Sequence, residues 1–273
     1  MFLSNLHRKQ LAIFYFICFA VCYGWYCFHG LLLHQVAPIF FQNKLDLTVN
    51  LIMFTNLQHY ILHNSQLQFF FDIAYFMLPL ALCISCFFTN RLQSVLALVT
   101  SGFNLLYAVI VSATTPLSIE GFTGWIVLPL LFTFKSESSF YYMLHTLRYF
   151  FILIFFSSAL WKIRAGGIFN MEQMSGALLI QHAAYLAGSQ TDWFANFIKY
   201  LINHKQLSYF IYLMATIFEF VFIVGFFTKK YDKALIGVFL LFVVGDYFLM
   251  EINYFSWSAF LGCLWFSRFR LKV

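Results

Sequence analysis

The chain has 273 residues, of which 62% are hydrophobic and only 10% charged, and its formal net charge is +6. A soluble domain carries about 25% charged residues, so this composition excludes a water-covered globular fold. The positive charge calls for no nucleic acid, because cytoplasmic loops of membrane proteins collect Lys and Arg.

The expected fold is all-α, a polytopic transmembrane bundle over residues 1–273 with about eight spans and additional outer interfacial helices. The spans fall at about 11–33, 68–89, 92–113, 120–134, 139–162, 207–228, 234–250 and 253–267, as apolar runs near the length that crosses hydrocarbon. The first follows His7, Arg8 and Lys9. It is too long for a signal-peptide core, and no small-residue cleavage site follows Cys27, so it reads as a retained span. The fourth and eighth are short enough to tilt or cross only in part. Between spans, 191–204 repeats Phe194, Phe197, Ile198 and Leu201 at helical spacing, punctuated by Asp192, Asn196, Lys199 and Asn203. That pattern predicts an amphipathic helix along the surface, a cap or a lid. Segment 48–63 is a weaker version.

Charge orients the spans. With the N-terminus inside, Arg8, Lys9, Arg91, Lys135, Lys229, Lys230, Lys233, Arg268, Arg270 and Lys272 fall inside. Lys44, Lys162, Arg164, Lys199 and Lys205 fall outside. The positive-inside rule favours this arrangement, with both termini cytoplasmic in a membrane of bacterial inner-membrane type.

Ionisable groups in hydrocarbon need a partner or a purpose. Arg148 and Glu219 lie at equal expected depth, about 14 Å from the inner end, and are the expected structural ion pair. A transport or proton-relay role is the alternative for them. On the fifth span His145, Arg148, Ile152, Phe155, Ala159 and Lys162 share one helical face. Lys162 alone also fits a snorkelling interfacial anchor. His29, His34, His59, His63, His182 and His204 fall towards the outer side, with Asp72, Glu172, Asp246 and Glu251. Such a layer suits proton transfer or metal binding, or it reflects the tolerance of interfaces for polar side chains. His59 and His63 stand one turn apart, a weak metal pair lacking the acidic residue of a zinc-protease helix. Cys83 and Cys86 form a C-x-x-C towards the inner, reducing side, where packing is favoured over redox exchange.

One stretch carries a resemblance. It runs Arg148-Tyr-Phe-Phe-Ile-Leu-Ile-Phe-Phe-Ser-Ser-Ala-Leu-Trp-Lys162-Ile, followed by Met171-Glu-Gln-Met-Ser-Gly176-Ala-Leu-Leu-Ile-Gln-His182. This resembles the horizontally transferred transmembrane (HTTM) domain related to the membrane part of vitamin K-dependent gamma-carboxylases. Arg91 opening a span, and Trp125–Phe134 before Lys135, fit that layout. The resemblance implies Lys162 as the base that deprotonates a hydroquinone, with His182 and Asp246 as further catalytic candidates. It implies a quinone-type isoprenoid as cofactor, and no metal is expected. The 239–250 span departs from the family by carrying Asp246 and Phe248 where the family has a His. DoxX-like redox membrane proteins also show an Arg-led span ending in Lys.

Two functions follow as expectations. One is quinone or lipid handling, or base catalysis, at an outer-face site around Lys162. There Lys162 should be buried among aromatics without a direct acidic partner, because a close carboxylate opposes loss of its proton. The alternative is a non-catalytic membrane subunit that binds membrane lipids or other membrane proteins.

Overall fold

The computed structural model describes residues 2–36, 50, 54–88, 90–114, 119–188 and 192–267. Lys44, Arg268, Arg270, Lys272 and part of the 48–63 segment lie outside the described residues, as does the side chain of Arg91. Among the described residues the regular structure is helical. The main elements are α1 (Phe2–Phe28), α2 (Ser65–Phe88), α3 (Asn90–Thr114), α4 (Glu137–Arg164), α5 (Gln173–Gln181), α6 (Trp193–Asn203), α7 (Lys205–Val221, extended by Val224–Phe227) and α8 (Asp232–Met250).

Six stretches are long and apolar enough to cross a membrane: Leu6–Phe28, Ser65–Phe88, Leu92–Ser112, Glu137–Arg164, Lys205–Phe227 and Asp232–Met250. The chain is an all-α, multi-pass membrane protein. The expected fourth and eighth spans are shorter apolar helices, Ile119–Thr133 and Phe255–Phe266. Both mix α and 3-10 turns. In the first, Pro129 stands at the start of the 3-10 turn Leu128–Thr133, where its missing N–H costs least.

The described residues form two compact units, one of residues up to Leu147 together with those from Phe255 onward, the other of Arg148–Tyr254. In the first unit α2, the 119–136 stretch and Phe255–Phe266 lie along α1. Helix α2 runs antiparallel to it: Lys9 lies over Phe87, Phe16 packs on Phe76, and the Tyr23 hydroxyl donates to the Asp72 carbonyl. The 119–136 stretch passes Tyr26 at Phe122, Tyr15 at Trp125, and Arg8 at the Lys135 and Ser136 carbonyls. Phe255–Phe266 meets Trp25 at Phe255 and His7 at Phe266. These short segments cover such a length partly because a 3-10 helix rises about 2.0 Å per residue against about 1.5 Å for an α-helix.

Broken helices leave carbonyls unpaired, which hydrocarbon does not tolerate unless protein supplies donors. Helix α3 supplies them from one face. Ser94 donates to the Thr133 carbonyl at 3.2 Å, Ser101 to Ile126 at 2.6 Å, and Asn104 to Trp125 at 2.8 Å. Gly124 lets the two broken segments touch, since a Cβ there would lie 1.9 Å from the Ser256 carbonyl oxygen.

In the second unit α7 runs antiparallel to the later half of α4, with Arg148 bonding the Gly225 and Thr228 carbonyls and Ser158 facing Glu219. Phe155 sits among Phe222, Phe239 and Phe242. Helices α5 and α6 pack on each other through Met174, Leu178, Ile198 and Leu201. The stretch read as amphipathic is thus the helix Trp193–Asn203, capped by Asp192, whose carboxylate accepts from Ala195 N–H at 2.6 Å.

Candidate functional site

Two ionic sites lie on one face of α4, and the expected Arg148–Glu219 pair is not among them. Arg148 reaches Asp232 instead. Its Nε donates to Oδ2 at 2.9 Å and its Nη2 to Oδ1 at 2.6 Å, and both side chains are 0% exposed. The same guanidinium caps the Gly225 carbonyl at 2.8 Å and Thr228 at 3.2 Å. It thereby closes the end of α7 and holds the first turn of α8, where an acidic residue also suits the helix dipole. Gly225 permits the approach, because an added Cβ would lie 2.6 Å from the Ile152 side chain. Asp232 was hidden in the sequence by its neighbours Lys229, Lys230 and Lys233, which give that loop the look of a solvated charge run.

Fourteen residues further on, Lys162 pairs with Glu219, Nζ to Oε2 at 2.8 Å, with side chains 26% and 4% exposed. The second oxygen of Glu219 accepts from the Ser158 hydroxyl at 2.9 Å. The Lys162 ammonium lies 5.6 Å from the Tyr212 ring centre and 5.9 Å from that of Phe242. The expectation of a Lys162 beside aromatics but without an acidic partner is therefore corrected in its second half. A lysine so paired has its ammonium engaged by a carboxylate and does not stand as a free base towards the cavity.

These groups line a partly open cavity of about 350 Å³. Its polar side chains include Ser158, Lys162, Glu219, Asp246 and Gln173, and its walls are otherwise mostly apolar. Asp246 Oδ2 is shielded from solvent and has no hydrogen-bond partner. Cavities of about 300–1,000 Å³ with a few convergent polar groups are the usual form of small-molecule sites. Comparison with protein-family models, curated proteins and solved structures gives no match for this chain. Chemistry and geometry alone carry the reading of the site.

His182 borders the cavity elements without lining it. It ends α5, its Nε2–H donates to the Leu249 carbonyl at 2.7 Å, and its Nδ1 stands 3.8 Å from Glu251. It ties one wall helix to another. Beyond the spans, Lys205 bonds Glu172 and holds that carboxyl below its ordinary range. The N-cap bond from Ala195 and the Tyr185 hydroxyl hold the Asp192 carboxyl low, and the same bond to Asp192 pushes the Tyr185 hydroxyl up to about 12.

The remaining outer-layer residues serve local structure. His29, His63 and His204 each bond the carbonyl four residues back, at Trp25, His59 and Tyr200. With His182 they stand at or just beyond helix C-termini, and in the first three the ring adds a second bond to a carbonyl that already accepts the same residue's backbone N–H. That placement accounts for much of the histidine excess. His59 and His63 have ring centres 4.1 Å apart, and among the described residues no third His, Cys, Asp or Glu joins them to hold a metal. Cys83 and Cys86 are free thiols, and the Cys86 sulfur accepts from Gln93 Nε2 at 3.3 Å.

Asp72 belongs to the first unit and is 1% exposed. Its carboxylate accepts from Leu33 N–H at 3.1 Å, His34 N–H at 2.9 Å, the His34 ring at 2.6 Å and the Tyr107 hydroxyl at 2.6 Å. It fastens the turn after α1 to α2 and α3. Tyr107, stacked on Tyr75 at 3.9 Å, is a partner that periodicity did not single out.

Proposed function

We propose that this chain is an eight-crossing membrane protein of HTTM-like type that holds the head of an apolar molecule, a quinone-type isoprenoid or a lipid, in the cavity at Lys162, Glu219 and Asp246. The observation that carries this is the cavity itself: a largely apolar chamber with ionisable groups grouped on its wall, among them Asp246, whose Oδ2 has no hydrogen-bond partner. The Lys162–Glu219 pair favours binding over base catalysis. It also leaves room for a non-catalytic subunit that holds a lipid in place.

The sidedness of the cavity depends on the two short segments. If both cross, Lys162 opens to the outer face when the termini are cytoplasmic. If neither crosses, Lys162, Arg164, Lys199 and Lys205 exchange sides with Lys135, Lys229, Lys230 and Lys233, and the basic tally stays ten to five. Charge therefore cannot choose. The passage of 119–136 from Tyr26 to Arg8, and of 255–266 from Trp25 to His7, supports two full crossings. Single-cysteine labelling with a membrane-impermeant reagent at Lys9, at Lys135 and at the C-terminus tests this, because all three share one side only if both short segments cross; labelling of Lys135 or of the C-terminus from the side opposite Lys9 overturns it. Mass spectrometry of protein purified in mild detergent tests the ligand. An isoprenoid or lipid retained by the protein and lost on filling the cavity with Ala177→Trp is expected; an identical extract from both sinks the reading.

A further inference from the structure

The three ionisable side chains around the cavity are unequally satisfied. Lys162 and Glu219 hold each other, and Ser158 supplies the other oxygen of Glu219. Tyr212 and Phe242 flank the ammonium, and their ring faces add to its retention. Asp246 lines the same chamber with Oδ2 closed to solvent and unpartnered. One ammonium thus faces two carboxyl groups, and it is already engaged.

An anionic head entering here would meet no free cation and one free carboxyl group. To bind, it would have to share the single Lys162 ammonium with Glu219 beside a second carboxyl group, setting a further negative charge against one cation in a low-dielectric site. A head that donates a hydrogen bond meets the reverse situation, because a buried acceptor left without a donor is costly and gains most from receiving one. Phe210, Phe218, Leu241 and Met250 surround the rest of the space. A volume of about 350 Å³ is near the lower end for ligand sites, about 300–1,000 Å³, so it suits a head and the first carbons of a chain.

We infer that the cavity selects an amphiphile whose head donates hydrogen bonds and bears no negative charge, a hydroxyl or an ammonium, seated on Asp246. This rests on the reading of the cavity as a lipid- or quinone-handling site and narrows it by excluding fatty acids and singly acylated phosphates.

The test uses the full chain in nanodiscs of zwitterionic lipid, with binding of four probes of one chain length corrected for partitioning into protein-free nanodiscs. The probes are dodecanol, dodecylamine, dodecanoate and 2-dodecanone. Dodecanol and dodecylamine should bind at least about tenfold more tightly than dodecanoate and the ketone, since a site built for a donor rejects heads that lack one. Asp246→Asn should weaken both donor probes, dodecylamine more than dodecanol, because the ammonium loses a counter-charge as well as an acceptor. Glu172→Gln, outside the cavity, should leave all four unchanged, and thermal unfolding of each variant without probe checks its folding. Dodecanoate binding as tightly as dodecylamine overturns the inference, and so does a preference for the ketone, which would make Asp246 a donor. Donor probes that bind wild type and Asp246→Asn equally overturn the seat. Failure of every probe to bind counts against the cavity as a ligand site and so against the proposed function itself.

Discussion

Arg148 and Lys162 lie on the same face of α4, each paired with one carboxylate, and their surroundings separate their roles. The Arg148 site is closed to solvent: a fork of two bonds to Asp232, two capped carbonyls and no exposure, with only Nη1 of the guanidinium lacking a hydrogen-bond partner. The Lys162 site is open: a single ion pair, a cavity, and a neighbouring acid with an unsatisfied oxygen. A closed polar network fixes a fold, whereas an open one keeps bonding capacity for something else. The first serves stability, and the second is where the proposed ligand would sit.

The largest effect should come from breaking the closed site. Arg148→Met leaves Asp232 charged and buried, a cost of about 3–5 kcal/mol, read as lost thermal stability in detergent. The double change Arg148→Met with Asp232→Leu should recover most of it. A single variant no worse than the double would erase the distinction between the two sites.

Asp72→Ala sharpens the comparison with a second closed site. It strips acceptors from two backbone N–H groups, His34 and Tyr107, and should cost about 2–4 kcal/mol. A loss under about 1 kcal/mol, within the range of a single ordinary hydrogen bond, would show that the turn after α1 does not depend on it.

Glu219→Gln should cost less than Arg148→Met, about 1–2 kcal/mol, because Lys162 is partly exposed and can turn towards water while the amide keeps Ser158. An equal or larger loss would place this pair with the closed sites. Asp246→Asn should be neutral or slightly stabilising by thermal unfolding, since Oδ2 has no hydrogen-bond partner and the nearby Lys162 ammonium is already held by Glu219. Marked destabilisation would reveal a structural duty for Asp246.

The smallest effect belongs to Glu172 and Lys205, both exposed. Lys205→Gln should leave the unfolding temperature unchanged within error. Its pH signature has a definite sign. The Glu172 carboxyl is held below its ordinary value in the folded state. Its small contribution is therefore full above the unfolded value, about 4.3, and fades as pH falls through the folded one. A contribution that grows on acidification would contradict the pairing.

The six long apolar helices were legible from run length alone, because each buries its backbone polar groups within itself. So was the helix Trp193–Asn203, from its periodic apolar face. The short segments were legible as apolar but not as broken, since their survival depends on Ser94, Ser101 and Asn104 donating from another helix. Lys162, Glu219 and Asp246 each stood out as ionisable groups in apolar runs. Their pairing did not, because equal depth says nothing about which face a side chain presents to its neighbour. By itself the sequence determined that this protein lives in a membrane and which residues would be costly there. Only the tertiary structure decided how those costs are met: Asp232 takes Arg148, Glu219 takes Lys162, and Asp246 Oδ2 is left without a hydrogen-bond partner. Partner choice in a low-dielectric interior is set by reach and orientation across elements distant in sequence, which helical periodicity does not encode.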